Sequence, residues 1–314
     1  MKALIYRKFG PPEVLEWVSD WPEPEISPEE VLVKTTAGGL NPKDVLLRKG
    51  RFRMLARTPL PRVSGLDVAG HVVAVGAAAQ GFSVGDPVFG MTNVFAGGVH
   101  AELAKFHHDE IWHCPRTISM AAAATVPLAA QTALQALRDC GRLASGRRIL
   151  INGASGGVGH FAVQIAKILG AEVHAVCGPR NLAFVKSLGA DGVYSYAERP
   201  PAAIETNFDI VFDVFGKWTR GAFARQLGRH GIYVSTVPKA ATLFAEGLAK
   251  IGLARTSRLV QVHSRSADLR HLQGWIEAGR LVPHVEKIYP VSQAADAHRH
   301  IESRHTVGKV CISF

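Results

Sequence analysis

The most constraining feature of the sequence is a glycine-rich stretch between residues 149 and 169. It opens with residues 149–151, a short and fully apolar run of the kind that forms a buried parallel strand. Several glycines follow, and beyond them apolar residues recur at helical spacing, at Val158, Phe161, Ile165, Ile168 and Leu169. The stretch therefore predicts a strand, a tight turn and a helix.

The turn between these two elements matches a dinucleotide-binding fingerprint, with alanine in the place of the first glycine. Its small residues leave the backbone open to a pyrophosphate, and the next helix would supply free N–H groups and the positive end of its dipole. We expect Gly156 to adopt a conformation that favours glycine, although glycines also serve ordinary tight turns. The residues assigned to cofactor binding here are Ala154, Ser155, Gly156, Gly157, Val158 and Gly159.

A second apolar run, at residues 173–177, follows about 20 residues after the turn, where the next parallel strand of such a fold lies. In NAD-binding proteins an acidic residue at the end of this strand binds the ribose 2′-hydroxyl. Here the strand is followed by Gly178, Pro179, Arg180 and Asn181, without an acid. Arg180 is a planar bidentate donor suited to a 2′-phosphate, so the sequence favours NADPH over NADH. A solvated surface position is the plainer alternative for this arginine.

The composition is typical of a globular protein. The 314 residues suffice for two domains, and contents of 47% hydrophobic and 20% charged residues exclude disorder. No apolar stretch reaches the roughly 20 residues of a membrane span, so we expect no membrane partner. The first residues are typical of a strand and not of a targeting peptide, and the cysteines at 114, 140, 177 and 311 form no Cys-x-x-Cys pair. We therefore expect a cytoplasmic protein with reduced thiols.

The formal net charge of +10 raises the question of a nucleic-acid partner. Lysines and arginines are scattered among apolar segments and form no long basic run, so we expect no nucleic-acid partner. A basic surface equally suits an enzyme with an anionic cofactor. The histidines form no metal-binding pattern on an evident helix, and we expect His107, His108, His298 and His300 at the surface or in loops.

The order of apolar runs along the chain predicts an α/β fold with a separate, mostly-β region. Residues 1–120 contain short strands between glycine and proline clusters, at 32–37, 68–75 and 87–90. An alanine-rich segment at 120–143 predicts one or two helices. Strands and helices then alternate, as a doubly wound parallel sheet requires. The strands are predicted at 192–195, 208–214, 231–235 and 259–262, the helices at 182–188, 238–257 and 269–279, and a final strand that returns to the first domain at 308–312.

The glycine turn and six further stretches together resemble the zinc-independent quinone oxidoreductases and enoyl reductases of the medium-chain dehydrogenase/reductase superfamily. These stretches are residues 39–44, 61–70, 81–90, 188–193, 208–213 and 308–309. The resemblance covers nearly the whole chain. It implies a GroES-like, mostly-β catalytic domain over 1–120 and 265–314, and a Rossmann doubly wound parallel sheet over 121–264, with NADPH in the cleft.

Matched positions bear on the question of zinc. In the zinc-dependent alcohol dehydrogenases of the same superfamily a cysteine occupies the position of Asn41, a His-Glu pair the positions of Leu66 and Asp67, and a four-cysteine lobe follows. Leucine cannot ligate zinc and an asparagine amide is a poor ligand for it, so we expect no metal. Without a Lewis acid, oxidation of a simple alcohol loses its electrophile.

The resemblance also assigns roles to single residues. Asn41 would lie by the nicotinamide ribose and the substrate as the candidate catalytic residue, and Thr132 near the nicotinamide. An ordinary Asn-Pro turn and a helix-surface threonine are the structural alternatives. Tyr196 would lie against the 2′-phosphate. The family often has a lysine at the position of Asn181, and the neighbouring Arg180 would take the place of that lysine here. The remaining cofactor-binding candidates are Gly178, Phe215, Gly216, Ser235, Thr236 and Lys309.

We therefore expect hydride transfer from NADPH to a quinone or an α,β-unsaturated carbonyl, in a homodimer. No general acid is evident, so water would supply the proton. Two alternatives stay open: a non-catalytic NADPH-binding regulator or crystallin-like structural protein, and an enoyl reductase module of a larger synthase. The chain begins at its first predicted strand and ends at its last, which favours a free-standing protein over a module.

Overall fold

The computed structural model describes residues 1–54, 59–204, 206–216, 218–238 and 256–314. The chain divides into two compact units, one formed by Met1–Gln131 with His263–Phe314 and the other by Thr132–Val262. The helical stretch predicted at 238–257 falls mostly on residues 239–255, which lie outside the described residues. Among the described helices, none is long and apolar enough to cross a membrane.

The described strands belong to three sheets. In chain order they are β1 Ala3–Tyr6, β2 Leu15–Val18, β3 Glu30–Leu40, β4 Arg62–Val63, β5 Asp67–Val75, β6 Pro87–Met91, β7 Leu103–His107, β8 Ile111–His113, β9 Arg148–Asn152, β10 Glu172–Cys177, β11 Gly192–Ser195, β12 Phe208–Asp213, β13 Leu227–Ser235, β14 Ser257–Leu259, β15 Val285–Pro290 and β16 Lys309–Ser313. The described α-helices are α1 Pro42–Arg48, α2 Met120–Ala124, α3 Pro127–Gln135, α4 Gly159–Ile168, α5 Leu182–Ser187, α6 Ser266–Glu277 and α7 Ala294–Glu302.

The first unit is built on two sheets that are antiparallel except for the parallel pair of β15 and β16. One sheet has the order β2-β1-β4, and a seven-stranded sheet has the order β15-β16-β3-β5-β6-β8, with β7 also paired to β3. β-branched and aromatic side chains from these strands form its core, including Val31, Val33, Val68, Val72 and Phe106. The C-terminal strand β16 pairs with β3, which confirms that the chain returns to the first domain.

The register of β3 determines what lies around its end. Gly39 pairs with Asp67 at the start of β5 on one side and with Cys311 of β16 on the other. A Cβ atom at Gly39 would lie 2.3 Å from the Ala124 carbonyl oxygen, so α2 packs directly on β3. This packing places α2 in the first unit, and the unit extends to Gln131 and not to the predicted residue 120.

The second unit is a parallel six-stranded sheet of order β11-β10-β9-β12-β13-β14. In its own chain order this is 3-2-1-4-5-6, the order of a Rossmann fold, which confirms the predicted fold class. The last strand is Ser257–Leu259 and not residues 259–262. Its bounds are set by pairing with β13, since Ser257 is opposite Tyr233 and Leu259 opposite Ser235. The apolar run that suggested the later position is only partly buried.

Candidate active site

Asn41 lies where β3 ends and α1 begins. Pro42 occupies the first position of α1, where its missing N–H costs nothing. Asp44 caps the helix, because its carboxylate accepts a hydrogen bond from the Asn41 backbone N–H at 2.9 Å. The Asn41 side chain is thereby directed away from solvent, and the residue is 1% exposed.

Both ends of the Asn41 amide have a charged partner. Lys309 Nζ donates to Asn41 Oδ1 at 2.5 Å and to the Leu40 carbonyl at 2.9 Å. Asn41 Nδ2 donates to Asp67 Oδ2 at 2.9 Å, and the other oxygen of Asp67 accepts from the Leu128 N–H at 3.0 Å. An amide held between a donor and an acceptor has one orientation, so this network fixes the Asn41 side chain.

The charges of this network are buried together. Burial raises the pKa of the Asp67 carboxyl to about 6, against the opposing effect of Lys309. Burial and the nearby Asp67 charge raise the pKa of Asp44 to about 7. Burial likewise lowers the pKa of Lys309, whereas Asp67 and Asp44 act to raise it. One buried cation thus faces two carboxyl groups that ionise reluctantly.

These residues do not fit a zinc ion. Leu66 is a fully buried apolar side chain, and the amide oxygen of Asn41 is already bonded to an ammonium group. A second cation beside Lys309 would be repelled by it. Lys309 itself, expected in the cofactor site, is 3% exposed and acts on Asn41.

The glycine turn lies in the second unit and follows β9. Gly153 has a φ of +87°, and its N–H and that of Ala154 both donate to the Val176 carbonyl at 3.0 Å. A Cβ atom at Gly159 would lie 2.1 Å from the Gly153 carbonyl oxygen, so α4 begins in direct contact with the turn. The turn is therefore closed on its inner side by backbone.

Gly156 faces a different environment. The nearest atom to a Cβ built there is the Gly153 carbonyl oxygen at 3.5 Å, an ordinary contact distance, and its φ is not positive. The expectation of a glycine-only conformation at Gly156 was wrong, because the left-handed residue of the turn is Gly153. The space above Gly156 is open, as close approach of a pyrophosphate requires.

The residues expected at the 2′-phosphate follow the carboxyl ends of β10 and β11. Cys177 is paired with Ser195, so Gly178 and Tyr196 emerge side by side, and the Tyr196 hydroxyl lies 3.3 Å from a Cβ built on Gly178. Tyr196 is 54% exposed, and Arg180 is exposed without a hydrogen bond or ion pair to any described residue. Both side chains are accessible to a ligand.

Asn181 contacts the glycine turn through its side chain. Its side-chain Nδ2 donates to Ser155 Oγ at 3.1 Å, which ties the loop after β10 to the glycine turn. Asn181 and Ser155 therefore support each other in the loops of the predicted pyrophosphate site. This leaves Arg180 as the cation of that loop, as the sequence suggested.

The carboxyl ends of β12 and β13 are organised by a residue that the sequence analysis missed. Asp213 is fully buried and accepts four hydrogen bonds, from Asn152 Nδ2, the Gly216 and Trp218 N–H groups and the Tyr233 hydroxyl, at 2.8 to 3.1 Å. The signal for it was an acid at the end of an apolar strand in the motif at 208–213. Asp44 and Asp67 were also not predicted as site residues, although they lie in the stretches 39–44 and 61–70 that carry the family resemblance.

The other predicted residues of the second unit differ in accessibility. Phe215 is 52% exposed, whereas Thr132 and Ser235 are buried. Ser235 Oγ accepts from the Val237 N–H at 3.2 Å, and Thr236 Oγ1 donates to the Val214 carbonyl at 2.9 Å. These two hydroxyls therefore shape the loop after β13, and Phe215 presents an apolar face to solvent.

The prediction of surface or loop positions for the histidines holds for some of them and not for others. His107 and His108 are partly exposed, and their ring nitrogens and an Asp109 oxygen lie within 4.8 Å of one another, on an edge of the first unit's sheet. His298 was expected at the surface, and this was wrong. It is fully buried in α7, where burial lowers its pKa to about 3.

Comparison with known proteins agrees with this architecture. A family profile described as an alcohol dehydrogenase GroES-like domain matches residues 27–116, and one described as a zinc-binding dehydrogenase matches residues 188–312. A chloroplast envelope quinone oxidoreductase homologue of Arabidopsis thaliana is 32% identical over 323 residues, covering 99% of this chain and 98% of the relative.

Two further matches cover the whole chain or nearly so. An NADPH-dependent alkenal/one oxidoreductase of Arabidopsis thaliana is 32% identical, covering 99% of this chain and 79% of the relative. The structure of a quinone oxidoreductase from Coxiella burnetii superposes with a TM-score of 0.91 and 32% identity, covering 100% of this chain and 99% of the other.

Proposed function

This chain belongs to the quinone oxidoreductase and enone reductase type of the medium-chain dehydrogenase/reductase superfamily, and we propose that it transfers hydride from NADPH to a quinone or an α,β-unsaturated carbonyl without zinc. The family uses NAD(P)H, and the preference for NADPH is part of the proposal. When bound, NADPH supplies the hydride. The relatives named for quinones and for alkenals or enones support this class of acceptor.

The observation that carries the proposal is the locked amide of Asn41. At the position of a zinc-ligating cysteine, this chain has a side chain bonded to both Lys309 and Asp67. Such a site orients a ligand by hydrogen bonding but cannot polarise an alcohol as a metal does. An acceptor that is already polarised by conjugation needs orientation above all, and orientation is what a fixed amide provides.

The second unit offers the groups that would hold NADPH. The open backbone at Gly156 and the start of α4 would accommodate the pyrophosphate. Arg180 and Tyr196, both exposed beside Gly178, would bind the 2′-phosphate. No acid follows β10 to bind an unphosphorylated ribose, which supports NADPH over NADH.

The experiment is an acceptor panel with the purified full-length chain. Quinones, alkenals and enoyl thioesters are each mixed with NADPH or NADH, and cofactor oxidation is followed by absorbance. We expect turnover with quinones or enones, faster at low cofactor concentration with NADPH. Absence of cofactor oxidation with every acceptor, despite tight NADPH binding, would favour a non-catalytic binding protein instead.

A cytoplasmic location and a homodimer are also proposed. None of the cysteines at 114, 140, 177 and 311 forms a disulfide, which suits a reducing compartment. Fractionation of the native cells and sedimentation of the purified protein would test the two proposals separately.

A further inference from the structure

Lys43 is a lysine without a conventional partner. It follows Asn41 by two residues, in the first turn of α1, and its side chain is half-buried. Its ammonium lies over the ring of Phe95, with Nζ 4.4 Å from the ring centroid. Among the described residues it has no hydrogen-bond acceptor and no ion-pair partner. Its donor N–H groups are thus available to a ligand.

The side chains around Lys43 form a partly exposed apolar wall. Phe95 is 39% exposed and packs edge-on against Phe52, with ring centroids 5.5 Å apart and an interplanar angle of 84°. Leu46, three residues after Lys43 on the same helix, is 36% exposed on the same face. A cation beside exposed aromatic rings is suited to a flat, conjugated ligand with a carbonyl oxygen.

The electrostatic setting makes Lys43 a better acid than an ordinary lysine. Burial lowers its pKa, although the carboxyl groups of Asp44 on α1 and Asp67 on β5 act in the opposite direction. These two acids are the charged groups that act on it. Both carboxyl groups have raised pKa values themselves, so their opposing effect on Lys43 weakens as the pH falls and they become protonated.

We propose that Lys43 is the general acid of the reaction, binding the carbonyl oxygen of the acceptor and protonating it. The role rests on the proposed function. Hydride adds to the β-carbon of an enone, the C=C π electrons shift toward the carbonyl, and the oxygen gains a negative charge. Lys43 Nζ–H gives its proton to that oxygen, forming an enol that tautomerises to the saturated ketone, and water reprotonates the neutral amine.

The same step completes the reduction of a quinone. Hydride addition gives a hydroquinone monoanion, and the proton from Lys43 yields the hydroquinone, so that one acceptor, one hydride and one proton are consumed. Phe95 and Phe52 would hold the ring of the acceptor, which favours planar quinones and aryl enones over short aliphatic alkenals.

Lys43→Met is the principal test, with Lys34→Met as its matched control, since Lys34 is an exposed lysine on β3. General acid catalysis typically contributes about 100- to 10,000-fold, so we expect Lys43→Met to lower kcat by at least about 100-fold and to change the Kd for NADPH by less than about threefold. Lys34→Met should match the wild type. Lys43→Arg keeps the charge but is a much weaker acid. We therefore expect its acceptor KM to be near the wild-type value and its kcat to be as low as that of Lys43→Met.

The pH profile separates an acid from a merely structural cation. Wild-type kcat should fall as the pH rises through the lowered pKa of Lys43, and this limb should be absent in Lys43→Met. A Lys43→Met variant with kcat within about twofold of wild type and the same pH profile would overturn the role. A wild-type protein inactive with every acceptor would instead overturn the proposed function, and the role with it.

A second measurement does not depend on activity. The rate at which an amine reagent labels Lys43, measured by mass spectrometry against pH in the cofactor-free protein, reports its pKa directly. We expect half-maximal labelling of Lys43 at a lower pH than for a free lysine amine labelled under the same conditions, and protection of Lys43 by a quinone. Labelling of Lys43 at the same pH as the free amine, together with no protection, would overturn the proposal.

Discussion

Lys309 and Asn41 are separated by 268 residues in the sequence, yet the Lys309 ammonium donates to the Asn41 amide oxygen at 2.5 Å. The contact exists because β16 pairs with the end of β3, immediately before Asn41. Asp67 approaches the same amide from the other side through β5. The C-terminal strand thus supplies the cation that neutralises this buried site.

Removing that cation should destabilise the first unit. In Lys309→Met, Asp67 and Asp44 lose the buried charge that faces them, and breaking a buried pair typically costs about 3 to 5 kcal/mol. We expect a loss of this size in the free energy of unfolding, measured by urea denaturation at pH 7. Lys8→Met, at an exposed position, is the control and should change stability by less than about 0.5 kcal/mol. Equal free energies of unfolding for the two variants would show that Lys309 does not compensate the buried carboxyl groups.

Arg180 should set the cofactor preference. A charge-assisted hydrogen bond contributes about 1.5 to 3 kcal/mol, so Arg180→Ala should weaken NADPH binding by roughly 10- to 100-fold and leave NADH affinity nearly unchanged. Titration calorimetry with both cofactors measures this. Arg199→Ala, an exposed arginine after β11, should alter neither affinity. A wild-type protein that binds NADH as tightly as NADPH would refute the assignment.

Two glycines of the same turn should respond differently to valine. At Gly156 a Cβ fits at ordinary contact distance, so Gly156→Val should fold normally and lose NADPH binding, because the side chain occupies the space above the backbone. At Gly159 a Cβ would lie 2.1 Å from the Gly153 carbonyl oxygen, so Gly159→Val should destabilise the second unit itself. Thermal unfolding and NADPH titration of both variants distinguish the two effects. Normal NADPH binding by Gly156→Val would mean that this turn is not the cofactor site.

The purified protein should contain no stoichiometric zinc. The residues at the matched positions, Asn41 and Leu66, offer an amide bonded to Lys309 and an apolar side chain. We expect metal analysis by mass spectrometry to find well under one zinc per chain and chelators to leave turnover unchanged. One tightly held zinc per chain, lost together with activity, would be the contrary result.

The two buried histidines should each lower the free energy of unfolding as the pH drops below about 6.5, the ordinary histidine pKa. Burial lowers the pKa of His100 to about 4 and that of His298 to about 3, so between these values and 6.5 the unfolded chain binds protons that the folded chain does not. Asp44 and Asp67, whose pKa values are raised, act in the opposite sense, because their contribution to the free energy of unfolding falls as the pH rises from about 4 toward 7. The two effects therefore largely offset each other in the wild type, and a variant is needed to separate them.

His298→Leu isolates the histidine contribution. Relative to the wild type, this variant should become more stable as the pH falls from 6.5 toward 4, because the unfolded chain no longer takes up a proton at this position. Each pKa unit corresponds to about 1.4 kcal/mol, so the difference is large enough for urea titrations at several pH values. Parallel curves for the wild type and His298→Leu would show that this histidine is not buried in the neutral form.

The sequence by itself determined the fold class and the strand, turn and helix at residues 149–169. Their signals are local: a buried apolar strand, small residues in a turn and a helical period follow one another within residues 149–169. The position of Arg180 and the absence of an acid after the second strand are equally local features. The strand and the helix of the structure, Arg148–Asn152 and Gly159–Ile168, lie where these local signals predicted them.

Only the tertiary structure decided the environment of Asn41. Its partners come from β5 and β16, and nothing in the sequence near Asn41 indicates that Asp67 and Lys309 face its amide. The same is true of Asp213, of the buried His298 and of Lys43 over the Phe95 ring. Burial and pairing of a polar side chain depend on contacts between distant segments, which the local pattern of apolar residues does not encode.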